Sequence, residues 1–219
     1  EGGKYEEIKN ATKAGVDIKT DVTNDSDTEA TGVSVKSTVY NKEGDVVSTQ
    51  TDDITVAAGK TETISQSVDV ANPKLWSVDS PNLYWVRTEI IQNGKVVDRT
   101  DSRFGIRYIA TNPNSGFYLN GVHTKLNGVC EHSDLGSLGM ETYQAAVDRR
   151  IRTLKKYGVN AIRTSHNPVS PEFIEACDRL GMLVFEEAFD QWLYSKNSDD
   201  YHNYFNKAAD GKTVCTHGY

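Results

Sequence analysis

The sequence predicts two folds in tandem, a β-sandwich followed by the opening strand–helix units of a parallel α/β sheet. Two rhythms predict this. Up to about residue 103, apolar residues recur at every second position between turn signals, the mark of half-buried strands. Beyond it, short apolar runs alternate with stretches of helical spacing, as in a strand–helix–strand chain. A third observation concerns function: the polar side chains capable of chemistry gather just after the later strands.

In the first half, Val16, Ile18 and Val22 form one alternating run, and Val33, Val35 and Val39 a second. Ile64, Val68 and Val70 form a third, and Tyr84, Val86, Thr88 and Ile90 a fourth. Turn residues separate them at Asn24-Asp25-Ser26, Lys42-Glu43-Gly44, Ala58-Gly59-Lys60 and Asn93-Gly94. Asn-Gly between two apolar runs predicts a tight hairpin, because both residues tolerate positive φ. Short strands at such spacing build a sandwich. The cysteines are Cys130, Cys177 and Cys215, so the sandwich lacks an inter-sheet disulfide. Their odd count and scattered spacing fit neither a disulfide framework nor a zinc site.

The rhythm changes near Phe104-Gly105-Ile106-Arg107. A small hairpin is expected at Phe117–Leu119, Asn120-Gly121 and Val122–Thr124, then a strand from Lys125 to Val129. Tyr143, Val147, Ile151 and Leu154 predict a helix over Met140–Tyr157, closed by Gly158. Ala161–Arg163 is the next strand. Ser170 caps a second helix, Pro171 occupies its first position and Gly181 ends it. Phe173, Cys177 and Leu180 supply its inner face, and Leu183–Glu186 is a third strand.

In parallel α/β proteins, function gathers at the carboxyl ends of strands. Glu131, His132 and Asp134 follow the first strand here, and Arg163, Ser165, His166 and Asn167 the second. Glu186 and Glu187 end the third, with Asp190 and Trp192 just beyond. The opposite turns, Tyr157–Asn160 and Leu180–Met182, are plainer. Each residue also has a blander reading. His132 could be a turn histidine, and His166 a structural group beside the Asn167-Pro168 turn. Arg163 and Glu186 could form a simple ion pair. Trp192 could pack in a core or present a face to the C–H side of a sugar. The clustering favours a site.

The 219 residues carry a formal net charge of −7, and no apolar run is long enough to span a membrane. No basic stripe offers itself to phosphates, so neither nucleic acid nor membrane is expected as a partner. Glu1-Gly2-Gly3 shows no leader pattern; a signal peptide is expected to be absent or removed. A neutral sugar suits this charge.

At these residues the sequence resembles glycoside hydrolase family 2, which includes β-galactosidases, β-glucuronidases and β-mannosidases. The segments are Leu75–Ser77, Ser80–Tyr84, Phe104–Arg107, Leu126–Gly136, Lys155–Pro168, Cys177–Trp192 and Tyr201–Phe205. The forms Glu131–Gly136 and Glu186–Trp192 look most like bacterial β-galactosidases. The resemblance implies an immunoglobulin-like sandwich over 1–103 and, over 104–219, an incomplete (β/α)8 TIM barrel of about three βα units. It implies a retaining reaction, with two glutamates about 5–5.5 Å apart as acid/base and nucleophile. In the family the acid/base follows an asparagine, and no Asn-Glu pair occurs in this chain. The catalytic glutamates are therefore expected to be absent, the chain to be a truncation, and the chain alone to be inactive. The segment after Lys207 departs from the family pattern.

By resemblance, His132 and His166 hydrogen-bond the sugar and Arg163 orients the nucleophile. Asn167 lies in the same turn, and Glu187 is an acidic residue of the site floor. Asp134, Asp190 and Trp192 complete the expected substrate-binding set. No cofactor is expected. A magnesium or sodium site of the family is not supported here, because Gln191 and Leu193 stand where magnesium ligands would be. A β-galactoside or other carbohydrate is the expected partner, with self-association through unpaired barrel strands. The resemblance slightly favours a periplasmic or secreted location over the cytoplasm. Another reading is a carbohydrate- or partner-binding sandwich using Trp76, Tyr84 and Trp85; within the family, glucuronides or mannosides are alternative substrates.

Overall fold

The computed structural model describes Ile8 and residues 10–187. The chain divides after Lys125 into two compact units. In the first, β1 (Lys13–Thr23) pairs antiparallel with β4 (Thr61–Ala71), and β3 (Val46–Val56), β2 (Ala30–Tyr40), β5 (Tyr84–Gln92) and β6 (Lys95–Phe104) form a second antiparallel sheet in that order. The sheets make the sandwich core: Ile18, Val68 and Val70 from one meet Val39 and Tyr84 from the other. The expected hairpin joins β5 and β6, with Asn93 and Gly94 both at positive φ.

Strand β3 shows no apolar alternation because much of its inner face is polar. Ser48, Gln50 and Asp52 stand opposite Val39, Ser37 and Val35, the inward residues of β2. Gln50 Nε2 donates to Asp52 Oδ2 within the strand at 2.8 Å, and a further partner comes from the other sheet. Gln66 of β4, itself an interruption in the Ile64–Val70 alternation, is buried at 3% exposure. Its Oε1 accepts from Ser37 Oγ at 2.6 Å, and its Nε2 donates to the Val35 carbonyl at 3.0 Å and to Asp52 Oδ2 at 2.8 Å. One amide thus ties β4 to β2 and β3 across the core, and its two bonds to β2 are buried in a low-dielectric setting where they are hard to replace.

Trp76 is 1% exposed, and Tyr84 is also buried. Of the three aromatic residues considered for sugar binding by the sandwich, only Trp85 is exposed. Three separated motifs meet at Trp76. A side chain on Gly105 would place its Cβ 3.1 Å from Trp76 Cβ, so any larger residue there would press on the indole. Trp76 N donates to the Ile106 carbonyl at 2.8 Å, and Arg107 lies over the indole at 4.9 Å. The Asn120 amide donates to the Trp76 carbonyl at 2.9 Å and accepts from Tyr108 N at 2.9 Å. Asn120 and Gly121 form the positive-φ turn of a small meander of β7 (Ile109–Asn112), β8 (Gly116–Leu119) and β9 (Val122–His123).

In the second unit, β10 (Gly128–Glu131), β11 (Ala161–Thr164) and β12 (Leu183–Phe185) run parallel in that order, joined by α1 (Gln144–Lys156) and α2 (Pro171–Leu180). The first strand begins three residues later than expected, because Asn127 N is held by Asn160 Oδ1 at 2.8 Å. Helix α1 starts at Gln144 rather than Met140, since Tyr143 is extended and a short 3-10 turn, Gly136–Leu138, occupies the segment before it. Helix α2 follows expectation: Ser170 Oγ accepts from Phe173 N at 3.3 Å, Pro171 opens it, and Gly181 is left-handed. Val147 and Ile151 of α1, Phe173, Ala176 and Cys177 of α2, Ile162 and Met182 fill the core. Asp148 accepts from Gln144 and Arg152 and from Arg179 of α2. Lys155 Nζ donates to the carbonyls of Leu180 and Gly181 at 2.6 and 3.1 Å, placing a cation on the negative end of α2. No described helix is long and apolar enough to cross a membrane.

Replacing Gln66 by alanine removes one shared partner from the Ser37 hydroxyl, the Val35 carbonyl and the Asp52 carboxylate, which keeps only the bond from Gln50 Nε2. We expect Gln66→Ala to lower unfolding stability by about 2–3 kcal/mol. Denaturant midpoints at constant slope measure this, and a change below a few tenths would show that the amide does not fasten the sheets.

Candidate functional site

The parallel register sorts the rim residues before any side chain is considered. Cys130 pairs with Arg163, and Arg163 with Phe185. These residues share one face, and Glu187, two residues on, continues it by strand alternation. Glu131 and Thr164, paired with each other, fall on the opposite, helix-covered face. Arg163 therefore meets Glu187 and not Glu186. Arg163 Nε donates to Glu187 Oε1, and Arg163 Nη1 reaches Cys130 Sγ at 3.8 Å. Glu187 N donates to the buried Thr164 Oγ1 at 2.9 Å, fixing where the carboxylate stands.

The second carboxylate oxygen, Oε2, lies 3.0 Å from His166 Nδ1. A carboxylate only accepts, so Nδ1 carries the proton, and Nε2 is left for a ligand. The 3.4 Å approach of Arg163 Nη2 to the same Nδ1 is then a contact between two donors rather than a hydrogen bond. Donation from Arg163, and secondarily from His166, holds the Glu187 carboxyl below the usual carboxylate range. The peptide joining Ser165 to His166 is cis. Ser165 is buried, and its Oγ has no hydrogen-bond partner. Its backbone N donates to the Glu131 carbonyl at 2.8 Å, continuing the β10–β11 ladder to the foot of His166.

The His132 and His166 rings meet edge to face with centroids 5.6 Å apart. Both side chains lie at the carboxyl ends of neighbouring strands, on the same rim. His166 is 46% exposed at the side chain and Glu187 only 16%. The imidazole is thus presented outward on a carboxylate that is set back.

Next to the rings, Glu131 accepts from Arg150 of α1 at 2.6 Å, a pair absent from the expected set. Burial pushes the Glu131 carboxyl above its ordinary range despite this neighbour. The pair lines a hollow of about 50 Å³ with His132, Asp134 and Phe173, room for a water molecule or two and not for a sugar ring. On α1, Arg150 lies one step before the buried Ile151, at the margin of the inward face.

Of the remaining expected residues, Asn167 Nδ2 donates to Ser133 Oγ at 3.3 Å and to the Pro168 carbonyl at 3.1 Å, joining the two rim loops. Asp134 Oδ1 accepts from Gly136 N at 3.1 Å, which occupies it in a turn. Asp190, Trp192, Gln191 and Leu193 lie outside the described residues. Ser133 and Cys130 were not singled out as site residues; both touch residues that were. Cys177 is a core thiol, pushed by burial up to about 12. Among the described residues, no cluster of three His, Cys, Asp or Glu side chains could hold a metal ion.

The profile of glycosyl hydrolases family 2 matches residues 4–107, and that of the family's TIM barrel domain matches residues 111–217. A β-galactosidase of Bacteroides ovatus is 40% identical over 89% of this chain and 23% of its own length. The crystal structure of a family 2 member from Bacteroides cellulosilyticus superposes with a TM-score of 0.81 at 37% identity, over 90% of this chain and 26% of that one. A β-glucuronidase from Bacteroides uniformis gives 0.75 at 32% identity, over 81% and 21%. The chain spans about a quarter of the length of these relatives. Sandwich, parallel strands, sequence motifs and relatives agree: the chain belongs to glycosyl hydrolases family 2.

Proposed function

We propose that the chain contributes the sandwich and the sugar-holding first part of the barrel to a retaining glycoside hydrolase that acts on β-galactosides. The observation that carries this reading is the pair of imidazoles, edge to face at 5.6 Å on one rim. One is oriented by Glu187, and that carboxylate is itself clamped by Arg163. Such a pair suits the hydroxyls of a sugar ring: His166 Nε2 hydrogen-bonds a hydroxyl, and His132, with no protein hydrogen bond on its ring among the described residues, turns either nitrogen to the ligand. Contacts that strengthen as charge develops at the anomeric carbon contribute to the rate.

The reaction also needs a proton donor and a nucleophile. Within these 219 residues no asparagine precedes a glutamate, and Glu187 is engaged by Arg163 and His166. In this proposal the described rim positions the sugar, and the bond-breaking carboxylates are not among its residues. A β-glucuronide is the second reading, because similar proteins include β-glucuronidases. It requires a cation for the sugar carboxylate, and Arg163 at this rim is already committed to Glu187.

Titration of the chain with galactose and with glucuronate decides between the two sugars. Galactose is expected to bind more tightly, and His132→Ala or His166→Ala to weaken it about tenfold each, roughly 1.4 kcal/mol. Unchanged affinity in both variants would remove these rings from the site. The chain alone is expected to release no nitrophenol from a nitrophenyl β-galactoside above a buffer blank, and clear turnover would contradict the assignment of roles.

The pH dependence follows from Glu187. Its folded value lies below the unfolded carboxylate value of about 4.3, so the clamp is fully present above that pH and is lost as pH falls through the lowered value. Carbon NMR titration of the Glu187 carboxyl should give a midpoint below about 4.3, rising in Arg163→Gln; an unmoved midpoint in that variant would show that the guanidinium does not hold it. Self-association through β10 and β12, each with one strand partner among the described residues, belongs to the same proposal. Light scattering should then read a mass above that of one chain, and a monomer at high concentration would exclude it.

A further inference from the structure

The sandwich carries a second surface with the chemistry of sugar recognition. In the four-stranded sheet, Val39 and Tyr84 point inward, so the alternate residues Tyr40 and Trp85 point outward. The register sets Tyr40 beside Trp85, and Trp85 beside Arg103, in one row across β2, β5 and β6. Arg87 and Asp101 pair in the next outward row, beside Thr38. Trp85 is 42% exposed. The Arg103 guanidinium lies 5.3 Å from its ring centroid, and that of Arg87 lies 5.9 Å from the ring of Tyr40.

Tyr40, Gly44, Trp85, Arg87 and Asp101 line an open hollow of about 300 Å³, a volume that admits one sugar ring. One wall is a pinned turn. Asn41 and Asp45 exchange backbone and side-chain hydrogen bonds, and Gly44, at φ 91°, donates to the Asn41 carbonyl at 3.0 Å. The opposite wall is a two-pronged ion pair, with Arg87 Nε donating to Asp101 Oδ1 and Nη2 to Oδ2, each at 2.8 Å. These charges neutralise each other, so the wall offers fixed donors and acceptors without selecting an ion. Thr38, the register partner of Arg87, is buried, and its Oγ1 lacks a hydrogen-bond partner.

An aromatic platform, a planar donor–acceptor pair beside it and a rigid rim suit a ring with one C–H face and an edge of hydroxyls. A flat apolar protein partner would instead meet a paired charge at the centre of the patch, where interfaces are depleted of charge. We propose that this face is a non-catalytic binding site for a neutral hexopyranose, separate from the histidine rim. The inference is independent of the substrate proposed above.

Isothermal titration of the chain with β-1,4-galactobiose, lactose and cellobiose tests it, using a His132→Ala/His166→Ala double variant to silence the rim. The double variant should retain millimolar binding of at least one disaccharide. Trp85→Ala should then weaken it about tenfold or more, and Trp85→Phe less. Should Trp85→Ala fail to fold, Arg87→Met on the same wall should produce the loss with an unchanged thermal midpoint. Absence of binding by the double variant, or binding indifferent to both Trp85→Ala and Arg87→Met, overturns the proposal. So does a concentration-dependent increase in mass that Trp85→Ala abolishes without any sugar response, which would make the patch a contact between copies.

Discussion

A polar group on the buried face of a strand needs a hydrogen-bond partner, and in this protein that requirement shapes both units. In the sandwich it is met by Gln66, whose amide accepts from Ser37 and donates to Val35 and Asp52 across the core. In the second unit Thr164, buried on the helix-covered face, accepts from the backbone of Glu187 and so sets the position of a carboxylate that faces the other way. Remove either partner and groups costly to desolvate lose a hydrogen bond. The apolar clusters around them tolerate more variation, since their energy is spread over many small contacts.

Much of the fold could be read from apolar periodicity, and the failures share one cause. The runs through Ile18, Val35, Val68 and Val86 are strands as expected. Strand β3 went unread because Ser48, Gln50 and Asp52 occupy its inner face, and the same polar layer interrupts its neighbours at Ser37 and Gln66. Two gaps in separate alternations were in fact two halves of one contact, which no single-strand pattern can show. Boundaries moved where a side chain competed for the backbone, as Asn160 does at Asn127.

The rim was legible as a place and only partly as a mechanism. Parallel strands end together, so His132, Arg163 and His166 had to converge once the strand–helix rhythm was recognised. Which glutamate Arg163 would meet depended on face: Glu187 shares the face of Arg163 and Cys130, and Glu186 does not. The Glu131–Arg150 pair lay beyond sequence reading for another reason, since it joins a strand end to a helix face whose rotation is set by packing of Val147 and Ile151. The result is a layered rim. A recessed carboxylate is clamped by a guanidinium, an imidazole rests on that carboxylate, and a second imidazole meets the first edge to face.

The sandwich contains no sulfur cross-link, since the first cysteine in the chain is Cys130. Its sheets are stitched by an amide instead of a thiol pair. Glutathione can neither open nor form such a stitch, so the fastening between the sheets is the same in reducing and in oxidising surroundings.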